Sequence, residues 1–193
     1  NGGGSAGDIR LRSEVENIFF PAQAAPVGFP GLILLTKDSV GSGPRLLSAN
    51  TSAGGSGNIE IRAESQLEAK WDSLVESTAT GQAHAGSITL DSGGPMFLVD
   101  ARVASSAEAG SGTGQIMLSA GGSLHASDSS ITADAAGTAE AGEIRLISGN
   151  NLELQGSKVG VSGAGPGLVS SVSLTAAGSI ALVNSTASVT RSE

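Results

Sequence analysis

The hexapeptide AGEIRL, residues 141–146, is one of six similar segments in this chain of 193 residues. The second residue of each segment, the anchor, is glycine in five of the six. From Gly57 onward the anchors follow at intervals of 29, 28, 28 and 28 residues. Repetition at an interval of this length is typical of a solenoid, in which each repeat forms one coil and stacks on the next. The other segments are AGDIRL at 6–11, SGNIEI at 56–61, AGSITL at 85–90, TGQIML at 113–118 and VSSVSL at 169–174.

Each repeat also contains three pairs of apolar residues, and one residue separates the two members of a pair. A period of two predicts short strands with one buried face, and the Gly, Asn and Asp residues between the pairs are typical of corners. The sequence therefore predicts an all-β fold over residues 1–193. The expected architecture is a right-handed parallel β-helix, or solenoid, with three short strands and 28 residues per coil. In the repeat that begins at Ala141 the pairs are Ile144 with Leu146, Leu152 with Leu154, and Val159 with Val161.

The repeat that begins at Ser56 is one residue longer than those that follow it. Counting from Ser56 places Leu74 at the first inward position of the third strand and Glu76 at the second. A carboxylate at an inward position conflicts with a buried face, because burying an unpaired charge is costly. The extra residue therefore predicts a local shift of register.

The composition limits both the core and the partners. The chain has 29 Gly but only four Phe and one Trp, so a stable fold must be thin and filled by aliphatic side chains. It has no Cys, which excludes disulfides and thiolate metal sites. A formal charge of −8 without a basic patch predicts no nucleic-acid partner. Apolar runs such as LILL at 32–35 are too short to form a membrane span.

One interval departs from the repeat. Gly7 and Gly57 are 50 residues apart, and four of the six prolines lie between them. Because proline cannot donate to a central ladder, the sequence predicts an insertion that leaves the coil over about residues 19–48. This insertion is the predicted interaction loop, and its candidate residues are Phe19, Phe20, Phe29, Leu32 and Ile33.

The sequence predicts no catalytic residue, no metal ligand and no cofactor. His84 falls in a loose corner and His125 at an outward position of a second strand, more than one coil apart. Asp100 and Asp128 share a repeat position and would stack about 4.8 Å apart, which is near the separation of a retaining carboxylate pair. Other coils have Gly and Asn at this position, so turn formation explains the two carboxylates better.

The block pattern x-G-x-I-x-L, then G-G-S-L, then S-x-I-x-A resembles the repeats of filamentous-haemagglutinin-like exoproteins of the two-partner secretion route, including cyanobacterial ones. The resemblance is clearest in AGSITLDSGGPMFLVDARVASS at 85–106 and TGQIMLSAGGSLHASDSSITAD at 113–134. It implies a rigid fibre or stalk on the surface of a Gram-negative bacterium. Neither end of the sequence has a polar or amphipathic capping element, which predicts that residues 1–193 are a window of a longer solenoid or that further copies cover the ends.

These observations predict a structural segment of an extracellular adhesin or matrix protein, with no chemistry of its own. Its expected partners are neighbouring coils or further copies stacked end to end, and glycans or proteins of a cell surface. Two alternatives stay open. One is a carbohydrate-active β-helix enzyme, a polysaccharide lyase or hydrolase, and the other is a filament subunit that assembles through open solenoid ends.

Overall fold

The computed structural model describes residues 7–13, 18–20, 32–35, 43–50, 55–80, 83–108, 112–136, 140–163 and 170–191. These residues form 19 β-strands and no helix, so no helix of the described part is long and apolar enough to cross a membrane. The strands are β1 (Ile9–Ser13), β2 (Ile18–Phe20), β3 (Leu32–Leu35), β4 (Arg45–Asn50), β5 (Ile59–Ala63), β6 (Gln66–Lys70), β7 (Leu74–Ala79), β8 (Ile88–Ser92), β9 (Met96–Val99), β10 (Arg102–Ala107), β11 (Ile116–Ala120), β12 (Leu124–Ser127), β13 (Ser130–Ala135), β14 (Glu143–Ser148), β15 (Leu152–Gln155), β16 (Lys158–Gly163), β17 (Ser171–Ala176), β18 (Ile180–Val183) and β19 (Thr186–Arg191).

The strands build three parallel sheets, and each complete coil gives one strand to each sheet. The first sheet has the order β1-β5-β8-β11-β14-β17, and the third has the order β4-β7-β10-β13-β16-β19. The second sheet, β2-β3-β6-β9-β12-β15-β18, has one strand more. Equivalent residues pair directly, as Ile116 does with Ile88 and with Ile144, 28 residues away on either side. The predicted all-β solenoid with three strands per coil is confirmed.

The core is a ladder of aliphatic side chains that runs along the inside of the coils. In the central coil Ile116, Leu118, Leu124, Ala126 and Ile131 are each at most 1% exposed. Complete burial of one large aliphatic side chain contributes about 1.5–3 kcal/mol. Because each coil repeats the same inward positions, the ladder forms one continuous cluster from Ile33 to Val161.

The predicted register shift is confirmed, and it places Val75 in the core instead of Leu74. Val75 pairs with Val103 and is 1% exposed. The extra residue lies at the corner before β7, where Trp71 and Asp72 both have positive φ, 56° and 61°. Glu76 is consequently turned outward, where its carboxylate lies 3.7 Å from the guanidinium of Arg102.

Two segments of the stretch that the sequence predicts to leave the coil, about residues 19–48, belong to the solenoid. Leu32–Leu35 is a strand of the second sheet and pairs with β6. Ile33 and Leu35 are buried at 0% and 1% exposure. Arg45–Asn50 likewise pairs with β7 in the third sheet. The prediction from the prolines fails for these two segments, because in the sequence the prolines lie between the strands and not within them.

The additional length of this region lies at two places along the sequence. The pairings with the next coil show where, because the sequence spacing between partners falls each time the chain passes added residues. The spacing is 50 residues from Leu11 to Ile61, 34 from Ile33 to Leu67 and 29 from Leu46 to Val75. The larger addition therefore lies between β1 and β3, and the smaller one between β3 and β4.

The recurring anchor glycines are required by close stacking of the backbone. A Cβ placed on Gly86, Gly114 or Gly142 would lie 2.2 or 2.3 Å from the carbonyl oxygen of the anchor in the preceding coil. No side chain fits there, which is why the repeat has glycine. The inward hydroxyls of Ser77 and Ser105 accept hydrogen bonds from the N–H groups of Gly86 and Gly114, at 2.8 and 3.0 Å. These bonds tie the loose third corner to the third strand.

A serine ladder satisfies backbone groups at the second corner. The hydroxyl of Ser129 accepts the N–H of Ala101 at 3.1 Å, and that of Ser157 accepts the N–H of Ser129 at 3.1 Å. Ser185 continues the ladder by accepting the N–H of Ser157 at 3.0 Å. Ser129 and Ser157 are each 3% exposed. Their bonds meet the requirement that buried backbone donors find acceptors.

Candidate functional site

The residues of the predicted interaction loop lie in different environments. Phe19 and Phe20 belong to β2, beside Leu34 and Leu35 of β3, and Leu32 is the first residue of β3. Phe29 lies outside the described residues. Ile33 is fully buried, so a partner cannot contact it in the folded coil.

The carboxylates of Asp100 and Asp128 lie at the second corner, as their shared repeat position predicts. Both residues are exposed and have left-handed backbones, with φ of 51° and 49°. Gly156 and Asn184 adopt the same conformation at the same corner, with φ of 58° and 50°. Asp and Asn tolerate this geometry better than most residues. The corner therefore explains these carboxylates without a catalytic role.

The two histidines lie on different elements. His84 is exposed, and its carbonyl accepts the N–H of Ser56 at 2.8 Å. His125 lies on β12 and faces outward, as the alternation predicts. In the described part of the chain, no group of three or more His, Cys, Asp or Glu side chains is arranged to hold a metal ion.

His125 is part of a column of side chains on the outer face of the second sheet. We call Glu68, Phe97, His125 and Glu153 the outer column, because direct strand pairing places them in successive coils. The rings of Phe97 and His125 are stacked, with centroids 5.4 Å apart and planes 6° from parallel. Nδ1 of His125 lies 3.1 Å from Oε2 of Glu153. At the other end Glu68 forms an ion pair with Lys70 at 2.6 Å.

This geometry limits the chemistry of the outer column. Carbohydrate platforms use the open face of an aromatic ring, whereas Phe97 and His125 each cover one face of the other. The His125–Glu153 pair resembles the histidine and orienting carboxylate of a catalytic constellation. A nucleophile or a second carboxylate beside the His125 ring would complete such a site. The column contains no nucleophilic Ser, Thr or Cys, and its second carboxylate, Glu68, lies one coil further on beside Phe97 and is paired with Lys70. His125 and Glu153 are nevertheless partly exposed, at 38% and 47%.

Sequence reasoning identified His125 but missed its neighbours. Phe97, His125 and Glu153 all occupy the thirteenth position of their repeats. Alignment of the outward positions would therefore have brought the three residues together, as alignment of the inward positions revealed the core.

The outer face of the first sheet carries opposite charges that pair with one another. Arg62 contacts Asp91 in the next coil at 2.8 Å, and this hydrogen bond raises the pKa of the Arg62 guanidinium. Arg145 contacts Glu143 at 2.9 Å. The hydrogen bond from Arg145 is the main reason that the pKa of Glu143 is lowered. Exposed pairs of this kind add little to stability, because solvent screens the attraction.

An open depression of about 390 Å³ lies on the same face. Its only cation is Arg10, whose guanidinium lies 3.4 Å from Asp8 and 3.7 Å from Glu60. The positive charge of Arg10, which could bind an anion, is thus already paired with two carboxylates. The depression is lined by Arg10, Asn58, Ile59, Glu60, Ser87 and Thr89.

The coil and its faces define the chain as a parallel β-solenoid protein. No protein-family model, curated protein or solved structure matches it.

Proposed function

We propose that the chain is a structural spacer, a stiff segment of an extracellular fibre or stalk. The observation that supports this most directly is the uninterrupted aliphatic ladder, which is one cluster from Ile33 to Val161. Outside the ladder, many of the described charged groups pair between or within coils, as Arg62 and Asp91 do. Such a surface is suited to separating other parts of an assembly.

Stiffness follows from how the coils are joined. Each inner coil pairs with both neighbours through all three sheets, so bending the rod would lengthen hydrogen bonds on one side. The serine ladder adds bonds at the second corner, between Ser129, Ser157 and Ser185. Repeat proteins gain stability chiefly from such interfaces between neighbours.

The location and partners belong to the same proposal. The likeness of the repeats to those of haemagglutinin-like exoproteins favours the surface of a Gram-negative bacterium, where the segment would hold adhesive parts away from the cell. The expected partners are glycans or proteins of another surface. Antibody labelling of intact source cells tests the location. Cells that are labelled only after lysis would contradict a surface location.

The spacer role is tested by measuring rigidity along the rod. Because the chain has no Cys, a double variant Arg12→Cys and Thr175→Cys carries labels at only these two sites. Both residues are exposed and lie in one column of the first sheet, five strands apart. Their backbones should be about 24 Å apart, five strand spacings of about 4.8 Å. A spacer gives one narrow distance distribution between spin labels, and a broad distribution would contradict the role.

A second candidate function, carbohydrate-active enzyme, is favoured only by the outward His125–Glu153 pair, with its 3.1 Å contact. Incubation with neutral and acidic polysaccharides, followed by detection of new reducing or unsaturated ends, tests it. Turnover that is lost in both His125→Ala and Glu153→Gln would replace the spacer role with this one.

A further inference from the structure

The corner between β6 and β7 holds a residue that its backbone conformation does not favour. Trp71, the only Trp of the chain, has a φ of 56° and is followed by Asp72 with a φ of 61°. Positive φ is rare for bulky side chains and is accommodated best by Gly, Asn and Asp. The backbone therefore gives no reason for Trp at this position. Later coils have residues of the tolerant kind with positive φ at this corner, namely Asp100, Asp128, Gly156 and Asn184.

Burial does not explain Trp71 either. Trp71 is 46% exposed, whereas Leu67 of β6 and Val75 of β7 are 0% and 1% exposed. Residues in unfavourable backbone conformations are concentrated at functional sites, where binding or catalysis maintains them. A strained and half-exposed Trp therefore indicates a role at the surface of the rod.

Neighbouring coils hold this corner from both sides. The N–H of Trp71 donates to the carbonyl of Val99 in the next coil at 2.9 Å. The N–H of Asp72 donates to the carbonyl of Asp100 at 2.8 Å. On the opposite side the backbone of Gly43 packs so closely that a Cβ there would lie 2.3 Å from the carbonyl oxygen of Asp72. Trp71 is thus presented on a fixed backbone, which lowers the entropy cost of binding a ligand.

The charged groups of the corner limit the chemistry of such a ligand. Asp72 follows Trp71 directly, Asp100 lies against Asp72 in the next coil, and both aspartates are exposed. The preceding residue, Lys70, forms an ion pair with Glu68 at 2.6 Å. Carboxylates accept hydrogen bonds from hydroxyls and repel anions. The corner therefore favours a ligand that has hydroxyl groups and no negative charge.

We infer that Trp71 is a binding platform for a neutral glycan. One sugar ring stacks on the indole, and the carboxylates of Asp72 and Asp100 accept hydrogen bonds from its hydroxyls. Among the described residues of this corner only Trp71 is aromatic, whereas a quaternary ammonium ligand is enclosed by a cage of several aromatic rings. The inference deepens the proposed function, because it gives the expected glycan partners a site and a chemical class.

The experiment uses the only Trp of the chain as its own reporter. Cellobiose, maltose and lactose are titrated separately over the millimolar range, and at least one of them should shift the Trp71 fluorescence saturably. Digalacturonate and choline should not. Acrylamide should quench the fluorescence of the free protein readily, because the residue is half exposed. A shielded Trp71, binding of digalacturonate or choline, or no response to any of the three neutral sugars would overturn the inference.

Trp71→Asn supplies the residue type that Asn184 provides at the same corner of a later coil. Calorimetric titration should show binding that is about tenfold weaker or less. The melting temperature should be unchanged or higher, because Asn tolerates the left-handed backbone. Leu47→Asn is the matched control, since Leu47 is 44% exposed but lies on β4, and it should bind like the parent. A Trp71→Asn protein that keeps full affinity, or that loses stability together with binding, would contradict the platform.

Asp100→Asn tests the acceptor groups. It should weaken binding severalfold, whereas Asp128→Asn should have little effect. Asp128 has the same corner conformation, with a φ of 49° against 51° for Asp100, but lies one coil further from Trp71. Equal effects of the two variants would contradict the assigned acceptors. The spin-label measurement is independent, so a narrow distance distribution without glycan binding would refute the platform alone, and a broad distribution with binding would refute the spacer alone.

Discussion

The backbone of Gly114 lies against the carbonyl oxygen of Gly86 so closely that a Cβ on Gly114 would be 2.3 Å from that oxygen. Real Cβ atoms do not approach backbone oxygen at this distance, so one coil must move if the site is filled. The contact recurs from Gly57 to Gly86 and from Gly114 to Gly142. The anchor therefore sets how closely consecutive coils stack at the third corner.

Gly114→Ala should destabilise the protein by about 1–3 kcal/mol, the usual cost of overpacking a filled site. Urea unfolding followed by circular dichroism measures the change. Gly7→Ala is the matched control, because Gly7 is also an anchor but has no atom within 4 Å of its Cβ position. Equal losses in the two variants would contradict the stacking explanation.

Leu154→Ala should cost about 2–5 kcal/mol, because truncating a fully buried leucine leaves a cavity. Leu182 pairs with Leu154 and holds the same ladder position one coil on, but it is 43% exposed against 0% for Leu154. Leu182→Ala should therefore cost clearly less in the same thermal and urea unfolding measurements. A larger loss at Leu182 would mean that its surroundings differ from those described here.

Ser157→Ala should destabilise the fold by about 1–3 kcal/mol, since it leaves the buried N–H of Ser129 without its acceptor. The hydroxyl also donates to the carbonyl of Ala126 at 3.0 Å. Ser185→Ala removes an equivalent but more exposed acceptor, where water can replace the hydroxyl, so its effect should be smaller. Chemical denaturation of both variants gives the comparison, and an unchanged Ser157→Ala protein would rule out a stabilising ladder.

Thr132→Val should raise stability by up to about 1 kcal/mol. The residue is 4% exposed, and its Oγ1 is buried without a hydrogen-bond partner among the described residues, so an isosteric methyl removes a desolvation penalty. Thr113→Val is the control, because Oγ1 of Thr113 accepts the N–H of Gly142 at 2.5 Å. It should destabilise the protein. Melting temperatures that fall in both variants would show that the Thr132 hydroxyl is satisfied.

Arg145→Met should raise the pKa of Glu143 toward its ordinary value, because the hydrogen bond from Arg145 is the largest cause of its depression. Carboxyl NMR titration measures the shift. Gln115 donates to the same carboxylate at 2.9 Å but contributes least to lowering this pKa, so Gln115→Met should raise it less. A pKa that does not move in Arg145→Met would contradict the assignment.

The sign of the accompanying stability change follows from linkage. A carboxyl whose pKa is lower in the folded state stabilises that state above its unfolded pKa. This contribution is lost as pH falls through the folded pKa. Acidification should therefore destabilise the parent slightly more than it destabilises Arg145→Met.

The regular coils could be predicted from the sequence because the same alternation of inward apolar and outward residues recurs in every coil. Alternation placed Ile116 and Leu118 inside and His125 outside, and the structure agrees. The counting error at Leu74 arose because one additional corner residue exchanges the two faces of the strand that follows. The signal for it in the sequence is the carboxylate of Glu76, which simple counting places at an inward position.

The enlarged first coil was harder to predict. The run LILL at 32–35 can be read as an apolar loop or as a strand, and its pairing with β6 is decided by residues more than 30 positions away. The pairing of β2 with β3 likewise depends on a contact between two separate segments, Ile18–Phe20 and Leu32–Leu35. Neither contact produces a repeated spacing of apolar residues that the sequence alone would show.

The corner at Trp71 and Asp72 has a practical consequence for protein engineering. It holds one residue more than the equivalent corners of later coils, and β7 still enters the third sheet in register. Tags, epitopes or binding peptides inserted there should be displayed from the side of the rod without disturbing its interior. One residue inserted two positions earlier, within β6, would instead exchange the inward and outward faces of the rest of that strand.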